Sequence, residues 1–220
     1  MTVRGVLFDV DGTLVDSNVA HAKAWHETFD EAGLDGGDIE RIRHLIGMGS
    51  DKLLPTAVGI DKETPEGKRL SERRSQVFKE RHLASLRALP GSNELVVALR
   101  DRELQLGVAT SAKPDELRDL LKVVDAEFLA EKAASGDEVD ASKPDPDVVE
   151  AALARIGLPA SDVILIGDTP YDVEASQRAG IRVIALRCGG WSDDELRGAA
   201  AVYADPADLL AHLEESPLAG

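Results

Sequence analysis

Cysteine is nearly absent from this chain: Cys188 stands alone among 220 residues. A single thiol excludes an internal disulfide and any metal site made of cysteines only. It follows a strand-like run and reads as an incidental buried thiol. Aromatic residues are scarce at 4%, so aliphatic side chains must do most of the packing. Bases are outnumbered, 25 against 41 acids, for a formal charge of −16. That deficit argues against nucleic acid or an anionic membrane as partner, and it obliges any anionic substrate to find a locally positive pocket. No apolar run is long enough to span a bilayer and no signal peptide is visible, so a soluble cytoplasmic protein is expected. What is present is a globular composition, 43% hydrophobic and 30% charged, sufficient for one large domain or a core with a smaller insertion.

Strand-like runs occur at 3–8, 104–110, 163–167 and 181–186, with weaker ones at 133–135 and 201–203. Helical patterns separate them: Leu95, Val96 and Leu99; Leu117, Leu120, Leu121 and Val124; Val148, Val149, Ala152, Leu153 and Ile156, this last helix opened by Pro144 at its first turn. Asp205-Pro206 caps a final helix burying Leu209, Leu210 and Leu213. Such alternation predicts an α/β fold, a doubly wound parallel sheet with helices on both faces. Residues 17–86 break the rhythm. They hold no convincing strand, and Ala22, Trp25, Phe29 and Ala32 form an amphipathic stripe, with a second helix starting near Thr64-Pro65. The expected organisation is an α/β core of residues 1–16 and 87–220 with an inserted helical subdomain at 17–86. The tail at 215–220 is expected to fray.

Four strand tips carry chemistry. The first run ends in Asp9-Val10-Asp11-Gly12-Thr13, two carboxylates too close to ionise together without a cation or a shared proton. A divalent ion with oxygen ligands, Mg²⁺ above all, resolves that repulsion. The second tip is Thr110-Ser111 ahead of a helix opened by Pro114, where hydroxyls and backbone N–H groups can hold a phosphoryl oxygen. The third is Lys143, a cation placed before a helix N-terminus, which makes sense with an anion in front of both. The fourth is Gly167-Asp168-Thr169-Pro170-Tyr171-Asp172, where Asp168 can complete a metal site and Asp172 lies one helical turn behind it. Each has a plain structural reading too: a turn, a helix cap, a surface lysine, an N-cap. All four in this order need a common explanation.

In that combination the chain resembles the haloacid dehalogenase-like superfamily over essentially its whole length: Asp9 to Thr13 as first motif, Thr110 as second, Lys143 as third, Asp168 and Asp172 as fourth. The resemblance implies a Rossmann-like core with a mobile helical cap at 17–86. It implies Asp9 as nucleophile forming an aspartyl-phosphate, and Asp11 as the acid and then the base. Mg²⁺ would bind Asp9, the Asp11 carbonyl and Asp168 with Asp172 behind, and Thr110, Ser111 and Lys143 would hold the phosphate. Asp11 also argues for phosphoryl chemistry over dehalogenation, because a halide leaving group needs no proton.

The cap stretch is similar to two branches of the family. Arg43, Gly47, Gly49 and Asp51 match the spacing of the substrate loop of phosphoglycolate phosphatases. His21 and Trp25 look like the corresponding stretch of β-phosphoglucomutases, where a histidine restrains hydrolysis, although the pair also occurs in phosphatases; Trp25 reads as cap core. Ser50 stands where the mutases carry a phosphate-gripping arginine. The expectation is therefore a Mg²⁺-dependent phosphomonoesterase acting on a small phosphorylated metabolite, phosphoglycolate or a sugar phosphate. A phosphosugar isomerase and a non-catalytic binding protein on the same fold are the alternatives, and the oligomeric state is open.

Overall fold

A strand buried on both faces must be apolar throughout, and β1 (Gly5–Phe8) is buried at all four positions. Alternation sorts its side chains between two layers: Val6 and Phe8 enter one hydrophobic cluster, Leu7 the other. The computed structural model describes residues 2–136 and 139–219. Its sheet continues with β2 (Gln105–Thr110), β3 (Ala133–Ser135), β4 (Val163–Gly167), β5 (Arg182–Leu186) and β6 (Ala201–Tyr203). Every pairing is parallel and the order is β3-β2-β1-β4-β5-β6. The chain winds from β1 outward through β2 and β3, then returns to the other side of β1. That reversal beside β1 is where open α/β sheets place a binding crevice.

Helices cover both faces. In chain order they are α1 (Asn18–Ala32), α2 (Ile39–Arg43), α3 (Ser50–Val58), α4 (Pro65–Val77), α5 (Ser92–Asp101), α6 (Pro114–Val123), α7 (Asp147–Ile156), α8 (Pro170–Arg178) and α9 (Pro206–Ala211). Leucines of α5, α6 and α9 pack on the Val6/Phe8 face, and α7 and α8 pack on the Leu7 face. The doubly wound sheet expected from the sequence is present.

Between β1 and β2 the described residues form helices and no strand. Ala22, Trp25, Phe29, Ile42, Ile46, Leu53, Leu54, Ala57 and Leu70 make a third hydrophobic cluster. Burying a side chain such as Phe29 contributes roughly 1.5–3 kcal/mol, so this region has a core of its own. α4 begins as expected, with Thr64 capping the Gly67 N–H and Pro65 in the first turn.

Two expectations fail. The helix predicted to open at Pro144 begins at Asp147, preceded by Pro146; residues 142–145 instead form a turn in which the Asp145 N–H donates to the Ser142 carbonyl. The tail is packed rather than frayed: Ser216 and Leu218 are buried, and Leu218 joins the main core. Ser216 Oγ donates to the Leu213 carbonyl at 2.8 Å and accepts the Leu218 N–H at 3.1 Å, turning Leu218 inward. Met1 and Gly220, the ends of the expected core, lie outside the described residues. No helix among the described residues is long and apolar enough to cross a membrane.

Candidate active site

Register brings the strand tips together. Phe8 pairs with Val108 on one side and Ile166 on the other, so Asp9, Thr110 and Asp168 follow at one edge of three adjacent strands. The Asp9 N–H extends the ladder to the Ile166 carbonyl at 2.8 Å, and the chain then folds back, with the Leu14 and Val15 N–H groups both donating to the Val10 carbonyl. Gly12 makes that loop possible. Its φ is +75°, and a Cβ there would lie 2.2 Å from both Asn18 Nδ2 and Asp168 Oδ2.

Asp9, Asp168 and Asp172 form a buried cluster whose carboxylate oxygens lie within 4.8 Å of one another. Asp168 accepts from Thr13 Oγ1 and Asn18 Nδ2, each at 2.9 Å. Asp172 completes a capping box with Thr169 at the start of α8, so Thr169 is the N-cap and Asp172 keeps one oxygen free for the site. That oxygen accepts from Lys143 Nζ at 2.6 Å, and Asp9 accepts from the same ammonium at 2.7 Å. Lys143 is fully buried. Its place corrects the sequence argument, since no helix begins beside it and it neutralises carboxylates. Burial alone would lower its pKa, but Asp172 and Asp9 outweigh that and raise it.

One ammonium does not balance three carboxylates. Burial, reinforced by Asp172 and Asp11, pushes Asp9 up to about 7 against the pull of Lys143. Burial together with Asp9 and Asp172 holds Asp168 well above the ordinary carboxylate value. Three hard oxygen donors with an uncompensated negative charge are the donor set a divalent cation such as Mg²⁺ fits.

Asp11 is separate from that cluster. Its Oδ1 accepts from Ser17 Oγ at 2.5 Å and from His21 Nε2 at 2.7 Å. His21 is fixed by stacking on Phe78, with centroids 4.1 Å apart and planes at 9°. Its Nδ1 is buried without a partner among the described residues, so the tautomer that donates from Nε2 leaves no buried N–H unpaired. Burial would raise the Asp11 pKa, but His21, Ser17 and Arg74 outweigh it and hold the group below the ordinary carboxylate value. The carboxylate therefore stands ionised.

Asp9, Asp11 and His21 line a cavity of about 50 Å³ together with Thr110 and Ser111, while Lys143, Asp168 and Asp172 lie behind Asp9. Thr110 Oγ1 accepts the Ala112 N–H at 3.0 Å, while Ser111 Oγ donates to the Gly47 carbonyl at 3.0 Å. Gly47 and Gly49 line the roof and approach the core closely. A Cβ on Gly47 would stand 2.9 Å from Thr169 Cγ2, and one on Gly49 2.6 Å from Ser142 Cβ. Arg43 is not brought to the cavity. Its guanidinium pairs with Glu40 at 2.7 Å and donates to the Gly189 carbonyl at 2.9 Å, because α2 turns that side chain toward the loop after β5. Cys188, on that loop, is half-buried and its thiol donates to the Gly12 carbonyl.

The sequence reading missed Arg74. It lines the cavity, lies 5.4 Å from the centre of the Trp25 ring and pairs with Glu116 of α6 at 2.7 Å. A signal existed, because Arg74 falls in the apolar register of Leu70, Val77 and Phe78 on α4, where a cation needs a reason. Lys62 and Glu116 also line the cavity and carried no comparable signal.

A family model described as haloacid dehalogenase-like hydrolase matches residues 6–186. The chain is 29% identical over 215 residues to a phosphoglycolate phosphatase of Rhodospirillum rubrum, covering 94% of this chain and 89% of that protein. It is 31% identical over 225 residues to the plasmid-borne protein CbbY of Cupriavidus necator, with the same two coverages of 94% and 89%. A solved hydrolase structure from Pseudomonas syringae superposes with a TM-score of 0.87 at 35% identity, covering 96% of this chain and 98% of that one. A match of this extent, on a sheet edge carrying Asp9, Asp11, Thr110, Lys143 and Asp168, shows that the chain belongs to the haloacid dehalogenase-like hydrolase family.

Proposed function

We propose that the chain is a Mg²⁺-dependent phosphomonoester hydrolase for a small phosphorylated metabolite, phosphoglycolate or a sugar phosphate. Residues 17–86 serve as a helical cap over a catalytic core of residues 1–16 and 87–220. The observation that carries the reading is the buried Asp9–Lys143–Asp172–Asp168 cluster, whose Asp9 faces a cavity beside a separately held Asp11.

Asp9, Asp168 and the Asp11 carbonyl would hold Mg²⁺, with Asp172 behind. The ion would draw negative charge from the phosphoryl oxygens. Lys143, Thr110 and the Ser111 loop bind the same group and keep it in line with Asp9. An Asp9 oxygen forms a bond to phosphorus as the ester P–O bond breaks, giving an aspartyl-phosphate and an alkoxide that takes a proton from Asp11. Asp11 is ionised in the empty site, so that proton arrives with the substrate, whose negative charge raises the proton affinity of nearby carboxylates. Asp11 then takes a proton from water. The resulting hydroxide oxygen attacks phosphorus and frees Asp9 and inorganic phosphate. Cap side chains, Arg74 among them, face the leaving group.

One observation favours a second reading, a phosphosugar isomerase: His21 at 2.7 Å from Asp11 restrains the base that would activate water. Such an enzyme needs a sugar bisphosphate and yields isomer. Phosphate release measured over a panel of phosphorylated metabolites, with Mg²⁺ and with chelator, separates the two. Mg²⁺-dependent release without bisphosphate is the expected result; isomer without phosphate overturns the hydrolase reading.

A further inference from the structure

The turn that carries Lys143 is gripped from the opposite side of the cavity. Gly49, the N-cap of α3, donates its backbone N–H to Ser142 Oγ at 2.9 Å, and Asp51 Oδ2 accepts the Ser142 N–H at 3.2 Å. Ser142 is only 2% exposed; α3 takes its N–H and donates to its Oγ, which itself donates to the Lys143 carbonyl at 3.4 Å within the turn. Lys52 pairs with Asp145 at 2.7 Å, a half-exposed contact that adds little. Three residues at the start of one helix thus clasp both ends of the turn Ser142-Lys143-Pro144-Asp145, from whose middle Lys143 reaches Asp9 and Asp172. The fit is too close for any side chain at Gly49.

We propose that Asp51 and Ser142 are positioning residues for Lys143, the first turn of α3 fixing from across the cavity the turn that carries that ammonium. The meaning of that placement for turnover rests on the hydrolase reading; the clasp itself does not. Without the α3 contacts, Ser142 keeps only the bonds within its own turn, and the turn loses its outer support. An ammonium fixed in this way acts on a developing anion without having to reorganise.

Two measurements on the full chain test this. Hydrogen–deuterium exchange of Asp51→Ala should show lost protection over residues 141–147, with residues 163–167 unchanged and Asp51→Asn, which keeps an acceptor oxygen, close to wild type. In phosphate-release assays, Asp51→Ala and Ser142→Ala should each lower kcat about tenfold with KM changed less. The double variant should lose less than the product of the two single losses, because the two bonds, Gly49 to Ser142 Oγ and the Ser142 N–H to Asp51, support one turn. Unchanged exchange in Asp51→Ala overturns the clasp, and it does so even if no substrate is turned over. Absent phosphate release from wild type counts against the hydrolase reading instead. Losses that multiply in the double variant, or that fall on KM, would show Asp51 touching substrate directly and would also overturn the proposal.

Discussion

The two walls of the cavity are built on different principles. The floor, with Asp9 in it, rests on charged groups that are buried and paired in fixed geometry behind it: Lys143 between Asp9 and Asp172, Asp168 held by Thr13 and Asn18. The roof is made of helices whose charges mostly pair with each other near solvent, as Arg73 with Glu31 and Arg81 with Glu27 do. A few reach from the roof to the core, Arg74 to Glu116, Lys52 to Asp145 and Lys79 to Asp119. The difference separates chemistry from selection. A floor set by sheet register fixes its groups relative to one another, while the roof depends on how separate helices pack and meets the floor's supports at points such as Gly49 and Asp51 on Ser142.

Substitutions along this contrast should grade from floor to roof. Asp9→Asn removes the proposed nucleophile and should lower phosphate release by on the order of 10⁴-fold or more while the far-ultraviolet circular dichroism stays unchanged; residual turnover near wild type would take the role from Asp9. Asp11→Asn should cost about 10²–10⁴-fold for an alkyl phosphate and much less for nitrophenyl phosphate, whose leaving group needs no proton. Equal losses on both substrates would deny Asp11 the acid role. Arg74→Ala should act mainly on KM, by about tenfold, the scale of one charge-assisted contact; a kcat effect alone would move Arg74 to the floor's side of the comparison. Arg73→Ala, on the outer face of the same helix, should change neither kinetics nor melting temperature measurably.

How much could be read from the sequence follows the same division. Strand tips are local: an apolar run that ends in Asp9-Val10-Asp11-Gly12 states both the strand and what stands at its end, and parallel register then gathers the tips whatever lies between. The six strands and the places of Asp9, Thr110 and Asp168 at their tips were legible for that reason. The roof was not, because facing residues there depend on how separate helices are oriented. Arg43 had the right spacing in its loop, yet α2 turns it toward Gly189; Arg74 had no motif and reaches the cavity through the packing of α4 on Trp25. Lys143 joins the carboxylates, but not for the reason its sequence position suggested. Its position owes nothing to a helix dipole, because α7 begins four residues later, at Asp147.

The central claim is that Asp9, and no other carboxylate of the floor, takes the phosphoryl group. The direct measurement is to quench a turnover mixture in acid, reduce it with borohydride, which converts an aspartyl-phosphate to homoserine, and locate the changed residue by peptide mass spectrometry. The account predicts homoserine at position 9 and an intact Asp11. Homoserine at another position, or an unmodified floor in a protein that is releasing phosphate, would contradict it.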